Sequence, residues 1–373
     1  MTAAREQVRR ALRRARLLAP DLFAPGSRLV VGFSGGQDST CLLHALAADH
    51  GGLEVIAAHV DHALRPDSAA SAEQAAALAS SLGGIEVMIR RVDVAAYRRL
   101  RRWSVQQAAR AARYQALAAV VAERQAAGLL IAHTADDQAE TVLLHLLRGA
   151  GLAGLAGMQA DETLDPHTFG PPLDELGPLP ARLRLARPLL RVSRQATLAY
   201  CVEVGVALVE DASNQSRAYT RNRVRLDLLP ALERYNPAIK TVLARTADLV
   251  ADDLAALDAL AAHLHAELGA PSDEADALAY RLAAWRGQPR ALQRRVLRLG
   301  LAHLLGGLAD VPDAPLEDAL DLVASGQPEQ AYHLPDGVEL RMGRATFSVR
   351  RRHGAMTAAT LQPNIGERDE TRV

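Results

Sequence analysis

Leu29-Val30-Val31-Gly32-Phe33-Ser34-Gly35-Gly36-Gln37-Asp38-Ser39-Thr40-Cys41-Leu42-Leu43-His44-Ala45-Leu46 is the stretch whose reading decides the fold. The apolar run Leu29–Phe33 predicts a buried strand, and Thr40–Leu46 predicts a helix behind it. Between them lies a glycine-rich turn, Ser34–Ser39. Such a turn lets backbone N–H groups close on a phosphate, and the helix N-terminus adds partial positive charge. The common nucleotide loop G-x-x-x-x-G-K-S/T is absent, and the only lysine, Lys240, lies far along the chain. Serines and backbone amides must therefore hold the phosphates. Two glycines alone would suit an ordinary strand–helix turn. Asp38, expected to be buried among N–H donors between two serines, tips the reading towards phosphate. A cradle with no lysine on the terminal phosphate suits a departing pyrophosphate.

Outward from this turn, strand-like and helix-like segments alternate. A basic amphipathic helix covers residues 3–18. Leu53–Val60 reads as a strand, Ser68–Leu82 as a helix, Ile85–Ile89 as a strand, Ser104–Ala127 as a long helix and Leu129–Ala132 as a strand. Ser104 and Gln107 form a capping box for the long helix. This alternation predicts an α/β fold with a doubly wound parallel sheet and ligands at the carboxyl ends of its strands. Asp161–Ala181 is rich in Pro, Gly and acids and reads as a long surface loop. A last α/β piece follows, with Arg182–Leu190, a helix from Ser193 ending at Gly205, and Ala207–Val209. After Arg225 the composition changes. Helical runs are expected from Asn236-Pro237 to about Leu268, over Pro289–Leu305 and over Leu316–Ala324. A terminal hairpin turns at Pro335-Asp336-Gly337. The expected domains are 1–225, 226–352 and a disordered tail, 353–373.

The bulk properties set bounds. With 373 residues the chain is long enough for two domains. Net charge is zero, so affinity for nucleic acid has to come from local patches. All but one of the 43 cationic side chains are arginine, which weakens any argument from arginine counts alone. Cys41 and Cys201 are the only cysteines, which excludes a disulfide framework or a zinc cluster. No leader-like or membrane-length apolar run occurs, so a soluble cytoplasmic protein is expected.

Three strands end in polar clusters: Ser34–Ser39, His59-Val60-Asp61-His62 and His133-Thr134-Ala135-Asp136-Asp137. Asp137 and Glu140 share a helical face with Thr141. Acids in a first turn can simply stabilise the helix dipole. Beside a phosphate loop, though, they would repel a triphosphate unless Mg²⁺ or a cationic substrate intervened. His59, Asp61 and His62 lack the further ligands of a zinc site; Asp61 suits a ribose or adenine contact, or a cap. Arginines crowd Glu86–Arg113, with Tyr97 and Trp103 among them. That composition fits either a solvated basic face or a surface for phosphates and unpaired bases. Arg217, Arg221, Arg223 and Arg225 form a second cluster, and Arg350–Arg352 a third.

Ser34–Ser39 resembles the SGGxDS loop of adenylating PP-loop enzymes. His59–Arg65 (HVDHALR), Ala109–Leu117 (ARAARYQAL), Ala132–Met158, Arg187–Leu190 (RPLL), Glu210–Asn214 (EDASN) and Arg221–Pro230 (RNRVRLDLLP) narrow the likeness. Together they are similar to the tRNA(Ile)-lysidine synthetase family. Motif detail spans residues 28–230, and the later helices and hairpin look like that family's first C-terminal domain. Thr134 stands where the family often has a histidine. The 161–181 loop looks long, and the further C-terminal domain of longer members is expected to be absent.

The resemblance implies an ATP-dependent ligase that joins L-lysine to C2 of the wobble cytidine of tRNA(Ile) with a CAU anticodon. ATP would contact Ser34, Gly35, Gly36, Gln37, Asp38, Ser39, Asp61 and His133. Asp38 and Asp136 would hold Mg²⁺, and Asp137 and Glu140 lysine. Asp38, Asp137 and Glu140 would carry the chemistry, while Arg113, Arg221, Arg223 and Arg225 would meet tRNA. A homodimer is left open. The alternatives are a tRNA thiolase, which two isolated cysteines suit badly, and a tRNA-binding protein that only senses ATP.

Overall fold

The computed structural model describes residues 2–352 except 50, 65–66, 102, 210–216, 218, 273–275 and 307–311. The Glu210–Asn214 stretch, Arg65 and the 353–373 tail lie outside the described residues. The chain divides into two compact units, Met1–Ala251 and Asp252–Val373. The division falls inside one long helix, further along than the composition change at Arg225.

The first unit begins with α1 (Ala3–Leu18), β1 (Arg28–Gly32), α2 (Gln37–Ala48), β2 (Glu54–Asp61) and α3 (Ser68–Ser81). It continues through β3 (Glu86–Arg91), α4 (Val94–Arg101), α5 (Val105–Glu123), β4 (Gly128–Ile131) and α6 (Ala135–Leu147). Then come α7 (Leu152–Leu155), β5 (Asp161–Leu164), β6 (Leu183–Ala186) and α8 (Arg194–Val204). After them, α9 (Thr220–Arg223), a π turn (Val224–Leu228) and α10 (Leu229–Glu233) run into one another, before α11 (Ile239–Leu268).

The strands form one sheet in the order β3-β2-β1-β4-β6-β5, parallel throughout except for β5 against β6. Leu29, Val30 and Val31 of β1 are fully buried, as are Leu129 and Leu130 of β4, which explains their continuous apolar runs. The chain goes from β1 to β2 on one side and reaches β4 on the other. Strand order therefore reverses between β1 and β4, and a crevice opens at their carboxyl ends.

Three local expectations change. The 161–181 segment is not wholly a surface loop. Its first residues form β5 on the sheet edge, and Phe169 stacks on Tyr114 with centroids 4.6 Å apart. Ala207–Val209 forms no strand; Val209 N–H instead donates to Gly35 O at 3.1 Å. Helix α4 was concealed by the arginine run that contains it.

The second unit adds β7 (Gly269–Ala270), β8 (Ala277–Arg281), α12 (Leu282–Arg286), α13 (Arg290–Leu305) and α14 (Asp313–Ser325). It closes with β9 (Ala331–Leu334), β10 (Val338–Met342) and β11 (Thr346–Arg351). The expected hairpin is real and belongs to an antiparallel sheet ordered β7-β8-β11-β10-β9. Its core centres on Trp285, Tyr280 and Phe347, with the Trp285 and Phe347 rings edge to face at 4.8 Å.

Candidate active site

The phosphate loop is held by its own hydrogen bonds. Ser34 N–H donates to Ser39 Oγ at 3.2 Å, and Ser39 Oγ–H to Gly36 O at 3.0 Å. Gly35 has φ +80°, which side-chain-bearing residues rarely adopt, and an added Cβ would meet Val209 at 3.2 Å. Gly36 caps α2 without a side-chain bond. The first amides of α2 therefore have no partner within the helix, an arrangement that favours an anion.

Asp38 is not surrounded by backbone N–H groups as expected. Its carboxylate meets side chains from the first turn of α8: Arg194 Nε donates to Oδ2 at 3.1 Å, and Thr197 Oγ1–H donates to Oδ1. Gln37 Nε2 donates to Arg194 O at 2.7 Å, so loop and helix are tied twice. Burial raises the Asp38 carboxyl above its ordinary range, against the pull of Arg194 and Thr197.

At the end of β4, Thr134 caps α6 in a reciprocal box. Asp137 Oδ2 accepts from Thr134 N–H and from Thr134 Oγ1–H, both at 2.9 Å. Threonine thus fills this position as a helix cap. Asp137 Oδ1 faces Arg221 at 3.4 Å, Arg225 at 3.5 Å and Arg194 at 3.7 Å. Burial raises the Asp137 carboxyl, but His133, Arg194, Arg221 and the Thr134 amide outweigh it and bring it down to about 2. Glu140 is 1 % exposed and takes Arg221 Nε at 2.9 Å and Arg225 Nε at 2.6 Å. Both arginines come from the segment around the π turn. Pro230 lacks an N–H and its ring crowds the carbonyl four residues back, which accounts for a widened turn just ahead of it.

Asp136 points elsewhere. Its Oδ2 accepts from Arg194 N–H at 2.8 Å, and its Oδ1 meets Lys240 Nζ at 3.0 Å. Lys240, distant in sequence, thus reaches the acid cluster and also holds Glu233 at 3.0 Å. Neither Lys240 nor Arg194 was singled out from sequence. For Lys240 no local pattern existed. For Arg194, the Ser193 cap marked the helix whose first turn carries it.

The remaining predicted residues divide. His59 Nδ1 bonds Phe33 O at 2.9 Å, and Asp61 Oδ1 accepts from Ala63 N–H at 2.9 Å, so Asp61 shapes the exit from β2. His133 Nδ1 accepts from Arg187 Nε at 3.1 Å, and burial keeps its imidazole neutral well below the usual histidine range. Arg113 Nε, His62 Nδ1 and Tyr114 Oη are buried without a hydrogen-bond partner among the described residues. Burial, with Arg113 and His59 nearby, lowers His62 to about 4. Arg223 is exposed, bonds Thr220 at 3.4 Å, and among the described residues does not join Arg221 and Arg225 on the acids. No group of three or more metal-binding side chains is found among the described residues.

A parallel sheet whose switch point carries a lysine-free phosphate loop defines an α/β nucleotide-binding protein of the PP-loop class. The PP-loop domain model matches residues 6–232, and the TilS substrate binding domain model matches residues 281–356. A tRNA(Ile)-lysidine synthase of Salinispora tropica is 40% identical over 351 residues, covering 91% of this chain and 95% of that protein. Those of Dehalococcoides mccartyi and Leifsonia xyli are 35% and 39% identical over 80% and 77% of this chain. The chain belongs to the tRNA(Ile)-lysidine synthase family. It spans 61% of the Dehalococcoides protein and 80% of the Leifsonia one. It spans 64% of a Geobacter sulfurreducens relative. Among solved structures, a U34-tRNA thiolase of Methanococcus maripaludis shares the fold at 19% identity. That match has a TM-score of 0.51 and covers 66% of this chain and 80% of the thiolase.

Proposed function

We propose that this protein ligates L-lysine to C2 of the wobble cytidine of tRNA(Ile) with a CAU anticodon. ATP would be consumed to AMP and pyrophosphate through an adenylated cytidine. The observation that carries this reading is the meeting of two features at the β1/β4 switch point. One is a phosphate loop free of lysine, and the other is an acid box crossed by Arg194, Arg221 and Arg225.

In the first half-reaction the cytidine O2 bonds the α-phosphorus and pyrophosphate leaves. Ser34–Ser39 and the α2 amides would hold the departing phosphates, with Arg194 close by. In the second, the side-chain ammonium of lysine gives up a proton to solvent. The resulting neutral amine forms a bond to C2, the C2–O2 bond breaks, AMP departs with the oxygen, and the newly bonded nitrogen releases its extra proton to solvent. Asp137 and Glu140 would receive the cationic lysine. Asp137 Oδ1 suits an incoming ammonium, because its arginine contacts are long, whereas Glu140 is held tightly.

Mg²⁺ usually takes one or two protein carboxylates and draws its other ligands from phosphates and water. Asp38, at the mouth of the loop, fits that role. Asp136 fits it less well, since Lys240 and the Arg194 amide already hold its two oxygens. When bound, the ion would screen the triphosphate charge. Cys41 and Cys201 are both buried, which favours ligation over sulfur transfer. Labelled lysine, ATP and total tRNA test the proposal: label should enter one tRNA, with AMP and pyrophosphate formed together. ADP as the main product would overturn it.

A further inference from the structure

We propose that α4 and the N-terminal half of α5 form a track for unpaired RNA, with one base lodged against Trp103 and adjoining phosphates on Arg98 and Arg99. This rests on the reading of RNA as substrate and names a surface outside the crevice that holds the reacting nucleotide.

The sequence offered two aromatics among the arginines, and the structure separates them. Tyr97 is 2 % exposed and its hydroxyl donates to Pro171 O at 3.0 Å, so it belongs to the core. Trp103 is half-buried. Its ring stands edge-on to Tyr97 at 5.5 Å, and a Cβ at Gly170 would fall 2.5 Å from it. The indole is thus braced from behind and lines a cavity of about 590 Å³ with Ala95, Arg98 and Arg99. That volume suits a small ligand or a single nucleoside. No carboxylate is among these four residues. Arg98 Nε is anchored on Trp103 O at 3.2 Å, and exposed Arg99 forms no salt bridge among the described residues.

Topology places this cavity on the reacting edge of the sheet. Val92 N–H bonds Asp61 O at 2.8 Å, so the chain enters α4 directly from the carboxyl ends of β2 and β3. Helix α5 leads into β4, so its first turns stand at the same edge. Along those turns, Arg110 and Arg113 lie over the Tyr114 ring at 5.0 and 5.5 Å. Neither has an acidic partner within salt-bridge distance among the described residues. Arg113 has Asp137 acting on it as a nearby countercharge, whereas Arg110, Arg98 and Arg99 have no acid within salt-bridge distance among the described residues. Towards the opposite edge of the sheet, at the end of α5, arginines are neutralised: Arg124, just past that helix, pairs with Glu86 at 2.6 Å, and Arg90 of β3 pairs with Glu123. Unpaired cations beside a braced indole match what single-stranded RNA presents, a phosphate chain with bases free to stack. A duplex would keep its bases out of the cavity.

The test uses the full chain with an anticodon stem–loop RNA and, as control, a fully paired hairpin of equal charge. Arg98→Gln/Arg99→Gln should weaken stem–loop binding about tenfold and lower the salt slope by about 1.4, at roughly 0.7 per phosphate contact. Trp103→Leu should cost about tenfold, and Trp103→Phe much less, because stacking tolerates a smaller ring. ATP affinity should not move in any of them. Unchanged stem–loop affinity in the double arginine variant would overturn the track, as would an equal loss for the paired hairpin. If that variant matched a wild-type protein that lysidylates tRNA, only the track would fall. If the wild-type protein bound no RNA, the functional reading would fall with it.

Discussion

Both units contain a helix-borne glutamate gripped by two arginines, and the two sites are built for different ends. In the first unit Glu140 is 1 % exposed between Arg221 and Arg225, which are 34% and 21% exposed. In the second, Glu317 is 35% exposed beside Arg290 and Arg294 at 35% and 38%. Hydrogen bonding, first from Arg294, lowers the Glu317 carboxyl, yet water screens that group throughout. Glu140 has exchanged water for guanidinium groups. Removing one partner from a buried pair strands the other charge, whereas an exposed pair rehydrates. Burial, not the list of contacts, separates a site from a surface ornament.

The comparison can be broken most decisively at Asp38, which shares Arg194 with the acid box. Asp38→Asn should lower turnover by about a thousandfold or more, since metal and charge stabilisation of the transferring phosphate contributes several kcal/mol. The fold should persist, because the isosteric amide can still accept from Thr197. Steady-state kinetics at saturating Mg²⁺, with circular dichroism as control, decides it. Wild-type turnover would remove the metal role.

Glu140→Gln comes next. Leaving Arg221 and Arg225 beside a neutral amide should cost about 3–5 kcal/mol, a fall in melting temperature on the order of 10 °C. The lysine KM should also rise about tenfold to a hundredfold, from loss of a charge-assisted bond worth roughly 1.5–3 kcal/mol. A raised ATP KM beside an unchanged lysine KM would move Glu140 to the nucleotide side.

These networks were only half legible in the sequence. The strand–turn–helix at Leu29–Leu46 and the acids at 136–140 follow local rules, namely apolar runs, a glycine turn and first-turn carboxylates. The alternation of strands and helices along the chain implied a parallel sheet with ligands at the carboxyl ends of its strands, while the reversal of strand order between β1 and β4 came from the structure. What joins them is long-range. Arg194 lies 156 positions from Asp38, and Lys240 meets Asp136 across the whole β5–α10 stretch. No spacing rule predicts such pairs, because they depend on how α8 and α11 pack. Arg221 and Arg225 were visible as a cluster, and only their partners were hidden. Arg223, between them in sequence, faces solvent because helical geometry turns it away.

Asp137 sharpens the comparison through pH. Its folded value of about 2 lies below the ordinary aspartate range near 3.9. A depressed carboxylate adds stability that is fully present above the unfolded value and is lost as pH falls towards the folded one. The expected contribution is about 2–3 kcal/mol, disappearing between roughly pH 4 and 2. Denaturant titrations from pH 6 down to pH 2 should show this slope in the wild-type chain and a flatter one in Asp137→Asn. Identical slopes would mean that the arginine field is matched by residual pairing in the unfolded chain.

The smallest effect is the control that gives the others meaning. Glu317→Gln removes a carboxylate bonded to Arg290 at 2.9 Å and to Arg294, contacts as short as those of Glu140. If distance set the energy, this change would rival the buried one. All three groups stay about one third exposed, and Arg290 keeps a second acid, Asp321, at 2.6 Å. Water and that neighbour can take over the freed guanidinium groups, so the loss should stay near 0.5 kcal/mol and shrink further in high salt. Lysine and ATP kinetics should not change. Paired melting curves of Glu317→Gln and Glu140→Gln at two ionic strengths measure the contrast directly. A Glu317 loss above about 2 kcal/mol, insensitive to salt, would show that the second unit's arginine cluster is as structural as the first's.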